Sequence, residues 1–521
     1  MHPFATAIAC ATCHSTDPVA NRDASGRDVS PYQLWQASLM ANAVRDPLWR
    51  AEVSVEIAAT PSLAAAIEAK CLSCHAPMAQ VDALAHAEPL ELGLLERDEP
   101  RSQLALDGVS CTACHQLEPA ADVSATFNGQ FSVAGQRELY GPHANPRGSP
   151  MSIALNYLPR ESAHVTRADL CASCHTLTTA AVDAQGQPTG GQLPEQSPFL
   201  EWQNSAFNDQ VAQPGPDAAS CQACHLPRAD VDGAPIQTQI AEAGLQTPVR
   251  QSLGRHVFLG GNTLVPQILR DQAADLQPLA PAAAFDALIA ATRDQLARRT
   301  ARVTLGQGIR TGDLLQLPVT VENLSGHKFP TGHPVRRAWL RLTVTDAQGR
   351  VVFASGEHDA EGRIVAGGAP LPSERAGGPV LPHYAAITAP DEVQVYQSLM
   401  HDRDGDPTFL LLRGEGYLKD NRLLPRGWSP SGPWAATTAP RGVVGDGDFV
   451  GGSDTVQYRV RAPRAAGPYT VEATLLYQPL SARFAAELFA YRTPEVEAFA
   501  AYYAAADRTP ERVAQVRAQV N

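Results

Sequence analysis

Apolar and polar residues alternate with a period of two through much of the second half of the chain. Val303-Thr-Leu305, Leu315-Gln-Leu-Pro-Val-Thr-Val-Glu322, Ala338-Trp-Leu-Arg-Leu-Thr-Val-Thr345, Val351-Val-Phe353, Thr455-Val-Gln-Tyr-Arg-Val-Arg461 and Tyr469-Thr-Val-Glu-Ala-Thr-Leu-Leu-Tyr477 all show it. Turn residues such as Asp346-Ala-Gln-Gly349 separate the runs. The pattern predicts half-buried strands of an immunoglobulin-like antiparallel sandwich. Earlier in the chain the signals are helix starts. Ser30-Pro31 opens a segment to Arg45, Asp46-Pro47 opens another, and Thr60-Pro61 opens a third. In each, a capping side chain precedes a proline at the first helical position. Thr166-Arg-Ala-Asp169 is a capping-box variant. An alanine-rich stretch over 268–300 reads as a helical connector, and Arg483–Phe489, Pro494–Ala506 and 509–520 read as helices. The expected fold class is therefore α+β and multidomain. It runs as a mostly helical and irregular domain over 1–267, the connector, the sandwich over 301–480 and a C-terminal helical segment over 481–521.

The chemistry lies in the first half. All ten cysteines fall into five copies of Cys-x-x-Cys-His. These are Cys10 and Cys13 with His14, Cys71 and Cys74 with His75, Cys111 and Cys114 with His115, Cys171 and Cys174 with His175, and Cys221 and Cys224 with His225. Two thiols one helical turn apart reach the two vinyl groups on one porphyrin edge, and the next side chain offers its imidazole to the iron. A structural zinc site draws on four Cys or His ligands, and five knuckles, each followed by histidine, do not group that way. The motifs predict five c-type haems with iron held by His14, His75, His115, His175 and His225. Their uneven spacing argues against a solenoid repeat. It also predicts little regular structure, because porphyrin takes the place of apolar side-chain core.

Composition adds two restrictions. The formal net charge is −13 over 521 residues, which argues against nucleic acid or an anionic membrane as the partner, since both draw on basic patches. No run approaches the ~20 apolar residues of a membrane helix, so no transmembrane segment is expected. Met1-His-Pro-Phe-Ala-Thr-Ala-Ile-Ala9 shows no basic and apolar leader. Export to the periplasm or cell surface is inferred from the cofactor alone, with the start taken as that of a processed chain or as placed too late.

Tyr32-Gln-Leu-Trp-Gln-Ala-Ser-Leu-Met40, Gln196-Ser-Pro-Phe-Leu-Glu-Trp-Gln-Asn-Ser205 and the five motifs resemble multihaem cytochromes whose haem-packing motifs are shared with hydroxylamine oxidoreductase and pentahaem nitrite reductase. Gly326-His-Lys-Phe-Pro-Thr-Gly-His-Pro334 and Tyr417-Leu-Lys-Asp-Asn-Arg-Leu-Leu-Pro425 resemble the β-domain that follows the haem domain in many exported multihaem cytochromes. The resemblance implies no single activity. Here every motif ends in histidine, where the nitrite reductases carry a Cys-x-x-Cys-Lys motif. The modifying tyrosine of hydroxylamine oxidoreductase is not identifiable either.

The second axial ligand separates wire from catalyst, because a haem with two protein ligands is closed to substrate. His143 in a Gly-Pro-His-Ala-Asn-Pro loop, His164 seven residues before Cys171, His256 before Gly260-Gly261, and His327 in a Gly/Pro loop are the candidates. His333 rivals His327, and Met40 is the thioether candidate ahead of Met78 and Met151. His2, His86 and His401 rank lower, and His358 and His383 read as loop residues. Asp402-Arg-Asp-Gly-Asp406 lacks the rest of a calcium loop and reads as an acidic turn. The leading expectation is an electron-transfer protein working with redox partner proteins, either other cytochromes or a membrane complex. Its rivals are an oxidoreductase with one open haem acting on a small inorganic nitrogen or sulfur species, and a subunit of a homo-oligomer, complex or filament with continuous haem contact.

Overall fold

The computed structural model describes residues 3–135, 137–230, 232–463 and 466–520; His2 lies outside them. The chain forms two compact units. One comprises Met1–Leu177, Ala219–Ala291 and Thr493–Tyr502, and the other Thr178–Ala218, Thr292–Arg492 and Tyr503–Asn521. The protein is α+β and multidomain, with its β-rich part toward the C-terminus.

In the first unit, proline-led helices are short. The Asp46 carboxylate accepts from the backbone N–H groups of Leu48 and Trp49 and starts helix Pro47–Ala59, satisfying donors that a helix start leaves open. A 3-10 turn at Pro61–Leu63 leads into helix Ala64–His75, whose last turn is the second motif. The helix led by Pro31 ends at Gln36, well before Arg45. The Asn42 side chain donates to the carbonyls of Gln36 and Ser38 and so takes up acceptors at the helix end. Met40 consequently lies in a turn beyond the helix rather than at the end of it. The expected connector is three helices, Leu264–Asp271, Ala273–Leu276 and Ala282–Arg299.

The strands that build the second unit are β1 Ala301–Leu305, β2 Leu314–Asn323, β3 Arg337–Thr345, β4 Val351–Ser355, β5 Ala386–Ile387, β6 Val395–His401, β7 Gly416–Asp420, β8 Ser453–Arg461, β9 Tyr469–Gln478 and β10 Glu511–Val520. One sheet runs β6-β3-β9-β10, with β4 beside β3 and β7 beside β6; the other runs β5-β8-β2-β1. Alternation places Leu315, Leu317, Val319 and Val321 of β2 in one core with Leu340, Leu342 and Val344 of β3. Two sheets thus share a single apolar layer, as the period-two pattern requires.

Residues 511–520 form a strand, not the helix expected from the spacing of Val513, Val516 and Val520. Leu475 faces Ala514 while Leu476 faces Arg512, so Val513 is the extra residue of a bulge. Ala514, Val516 and Val520 then keep the period of two, and the bulge shifts Val513 out of phase. That single shift mimics helical spacing. The stretch 178–218 also clusters with the second unit, although the sequence places it inside the first domain. It contributes helix Pro198–Gln203, whose Glu201 is wholly buried.

Candidate functional site

In the first unit, four motifs ride on short helices that end at the histidine: Ala7–His14, Ala64–His75, Cys111–His115 and Cys221–His225. The fourth differs. Its helix, Asp169–Ala172, stops before Cys174, and His175 is exposed in a bend.

Each of the four helical histidines places Nδ1 against a backbone carbonyl. His14 meets Ile240 at 2.6 Å, His75 meets Ala43 at 3.1 Å, His115 meets Tyr140 at 2.6 Å, and His225 meets Leu259. A carbonyl only accepts, so Nδ1 carries the proton and the ring's lone pair sits on Nε2. That is the second-sphere arrangement of a metal-ligating imidazole. Burial holds the His14, His115 and His225 rings below their ordinary pKa and so favours the neutral form that a metal needs. The acceptors are main-chain atoms far away in sequence, which no motif announces.

No disulfide joins any of the ten cysteines, and all of them are half-buried. Thiols of different motifs lie near one another. Cys10 is in hydrogen-bonding contact with Cys111, Cys74 with Cys174, and Cys171 with Cys221. The second thiol of the fifth motif, Cys224, sits in the last turn of helix Cys221–His225, directly before the ligand-type histidine. Cys13 and Cys114 hold the same place before His14 and His115 on their helices. Gly129, at φ +75°, lets the backbone pass where a Cβ would stand 3.3 Å from Cys74 Sγ. The Gly129 N–H donates to the Ser173 carbonyl at 2.8 Å, tying that loop to the fourth motif. The buried Trp35 indole donates to the Val109 carbonyl at 2.9 Å and steadies the approach to the third motif. Trp49 stacks on His75 with ring centroids 4.5 Å apart.

The candidate second ligands separate clearly. The His256 ring lies 6.3 Å from the His115 ring, centroid to centroid, and 23° from parallel. Its Nδ1 faces the Gly254 carbonyl at 2.9 Å, again leaving the lone pair on Nε2. His143 is half-buried in its loop, and burial together with Arg250 and Arg228 holds its pKa down. His164 is held at both ring nitrogens. Its Nε2 donates to the Leu117 carbonyl at 2.8 Å while Nδ1 meets the Ser162 hydroxyl at 2.6 Å, so both nitrogens are engaged. Met40 is half-buried, with its backbone carbonyl accepting from Val109. Met78 is fully buried, and its sulfur faces the Thr112 and Ser110 hydroxyls at 3.2 and 3.7 Å.

His327 belongs to the second unit, with Nδ1 toward the Lys328 carbonyl at 2.9 Å. The segments singled out by resemblance meet there in one buried ion network. Lys328 Nζ lies 2.6 Å from Asp420 Oδ2, Arg422 grips both Asp420 oxygens at 2.7 Å, and Arg422 also faces Glu201 at 3.4 Å. Glu201 accepts from the Lys328 N–H and the Thr331 hydroxyl. The Asp402 carboxylate accepts from the N–H groups of Asp404 and Asp406, which is an acidic turn as expected.

Residues 9–116 match the model of the family described as cytochrome c554 and c-prime. The chain also shares its fold with the crystal structure of a penta-heme cytochrome c552 from Thermochromatium tepidum. The TM-score is 0.53 at 16% identity over 99% of each chain. No curated protein matches. The family segment takes in the first three motifs, and the solved structure shows a shared fold. Among the described residues no helix is long and apolar enough to cross a membrane.

Proposed function

We propose that the chain binds five c-type haems at its five motifs and relays electrons between redox partner proteins outside the cytoplasm. Haem supplies one-electron exchange at iron. The ten thiols, from Cys10 and Cys13 through to Cys221 and Cys224, would anchor the macrocycles as thioethers. His14, His75, His115, His175 and His225 would each present a nitrogen to one iron.

The contact between thiols of different motifs carries the relay reading. A thioether sulfur marks the edge of its macrocycle, so the contacts of motif one with three, two with four, and four with five bring those edges together. Cys114 of the third motif also acts electrostatically on Cys171 and Cys174 of the fourth, which joins all five into one set.

His256 would supply a second nitrogen to the iron held by His115. Two imidazoles on opposite faces of one metal, each bonded at about 2.0 Å, have centroids roughly 6 Å apart, and the observed separation is 6.3 Å. His143, His327 and Met40 remain the candidates for other irons.

The test is a haem count per chain by alkaline pyridine spectra, followed by carbon monoxide and cyanide titration of the ferrous and ferric forms. Five haems with unchanged low-spin spectra support the relay. A high-spin fraction that binds either ligand in the unmodified protein overturns it in favour of an oxidoreductase with an open haem. His256→Ala should convert one haem in five to a high-spin, carbon monoxide-binding form. An unchanged spectrum in that variant removes His256 from the ligand set.

A further inference from the structure

The β-rich unit holds a second cluster of ligand-bearing side chains. Asp454, the second residue of β8, is wholly buried. Its Oδ2 accepts from the Tyr396 hydroxyl at 2.7 Å and from Gln394 Nε2 at 3.3 Å, while its Oδ1 has no hydrogen-bond partner. A buried carboxylate oxygen left unsatisfied is costly. Beside it, the Asp446 and His383 side chains are 4% and 3% exposed. One ligand-type atom from each of His383, Asp446 and Asp454 lies within 4.8 Å of the others. Asp448 adds a third carboxylate close enough to repel both aspartates. Among the described residues no lysine or arginine forms an ion pair with these three.

The hydrogen bonds decide which atoms face a cation. Gln394 Nε2 and Asn421 Nδ2 both donate to His383 Nδ1, at 2.7 and 3.1 Å. The amide orientations are fixed elsewhere, since Gln394 Oε1 accepts from Tyr384 N–H and Asn421 Oδ1 from Gln397 N–H. His383 is therefore neutral, with its proton on Nε2, and it donates to Asp446 Oδ2 at 2.8 Å. Its imidazole has no lone pair to give a metal. Asp446 Oδ1 accepts from the N–H groups of Asp448 and Phe449, and Asp448 Oδ1 from that of Thr455. The donor set is thus carboxylate oxygen alone, the chemistry of a hard cation. One ligand-type oxygen each of Asp446 and Asp454 lies within 4.8 Å of the other, inside the span of about 5 Å that two oxygens sharing one calcium ion at 2.3–2.6 Å allow.

We propose that Asp446, Asp448 and Asp454 form a binding site for a calcium-class divalent cation, with His383 as a positioning residue that orients the Asp446 carboxylate. Haem loading is not part of this inference. The test is calcium titration of the chelator-treated, haem-loaded full chain by calorimetry and thermal unfolding. One calcium per chain, with a raised melting temperature, is the expected result. Asp448→Asn, at an exposed position, should weaken binding at least tenfold without lowering the calcium-free melting temperature, and Asp454→Asn should abolish it. No binding at millimolar calcium overturns the site. So does a calcium response that survives in Asp454→Asn. A calcium-free protein that gains stability as the pH falls through 7, with no response to calcium, identifies a shared proton instead. Zinc binding without calcium binding, lost in His383→Gln, overturns the oxygen-donor assignment.

Discussion

Among the described residues, Asp420 is the carboxylate that pairs with the wholly buried Lys328 ammonium, and it also holds both arms of Arg422. Asp420→Leu would leave Arg422 its longer 3.4 Å contact with Glu201 but would strip Lys328 of its paired counter-charge. An uncompensated buried charge costs about 3–5 kcal/mol. For a unit of this size that corresponds to a melting shift on the order of 10 °C. The reverse change costs less when made together with its partner. Lys328→Met combined with Asp420→Leu should fall short of the summed single costs by about 2 kcal/mol or more. The coupling also has a pH signature. Burial alone would raise the Asp420 carboxyl, but Arg422 and Lys328 hold it well below the usual carboxylate range. A depressed folded-state pKa gives stability that is present above about pH 4 and lost as the pH falls further. Urea unfolding of the two single variants and the double variant, followed by far-ultraviolet circular dichroism at pH 7 and pH 3, reads all three quantities. Additive single costs, or a loss under 1 kcal/mol for Asp420→Leu, would refute the reasoning.

Asp107 behaves with the opposite sign. Burial pushes its carboxyl up to about 6, so wild-type stability should fall by up to about 3 kcal/mol as the pH rises from 4 to 7. Asp107→Asn should flatten that dependence in pH-resolved urea melts. Gly108 sits at φ +62°, with a Cβ position 2.5 Å from the Met40 carbonyl oxygen and 2.7 Å from that of Ala41. Both are backbone atoms, so Gly108→Ala should cost about 2 kcal/mol or more by strain, and a neutral melt would show that the turn can open. Asp46→Ala removes the cap of helix Pro47–Ala59 and should cost about 1 kcal/mol, measured in the same way.

The residues alone reveal whatever depends on near neighbours. The Asp46-Pro47 start and the period-two strands are local signals, and both stand in the structure. The sequence pattern overextends the Pro31 helix because its end depends on Asn42 folding back, an interaction across a turn. Residues 509–520 carry helical spacing because a bulge against β9 disguises the strand period. The carbonyls that meet the histidines are illegible for a different reason, since a main-chain oxygen has no letter in the sequence. Glu201, Lys328, Asp420 and Arg422 are charged residues in three separate segments, and only the tertiary fold turns them into one neutral, buried set.

The carbonyl partners also order events in time. His14 lies in the first motif to emerge during synthesis, yet the oxygen that fixes its ring belongs to Ile240, beyond the fifth motif. His75 and His115 find theirs within about thirty residues, at Ala43 and Tyr140. As the chain grows from its N-terminus, the carbonyl partners of the second and third motifs are therefore present while the first still has a freely turning imidazole. The ring of the first motif can be fixed only after the last motif has been made.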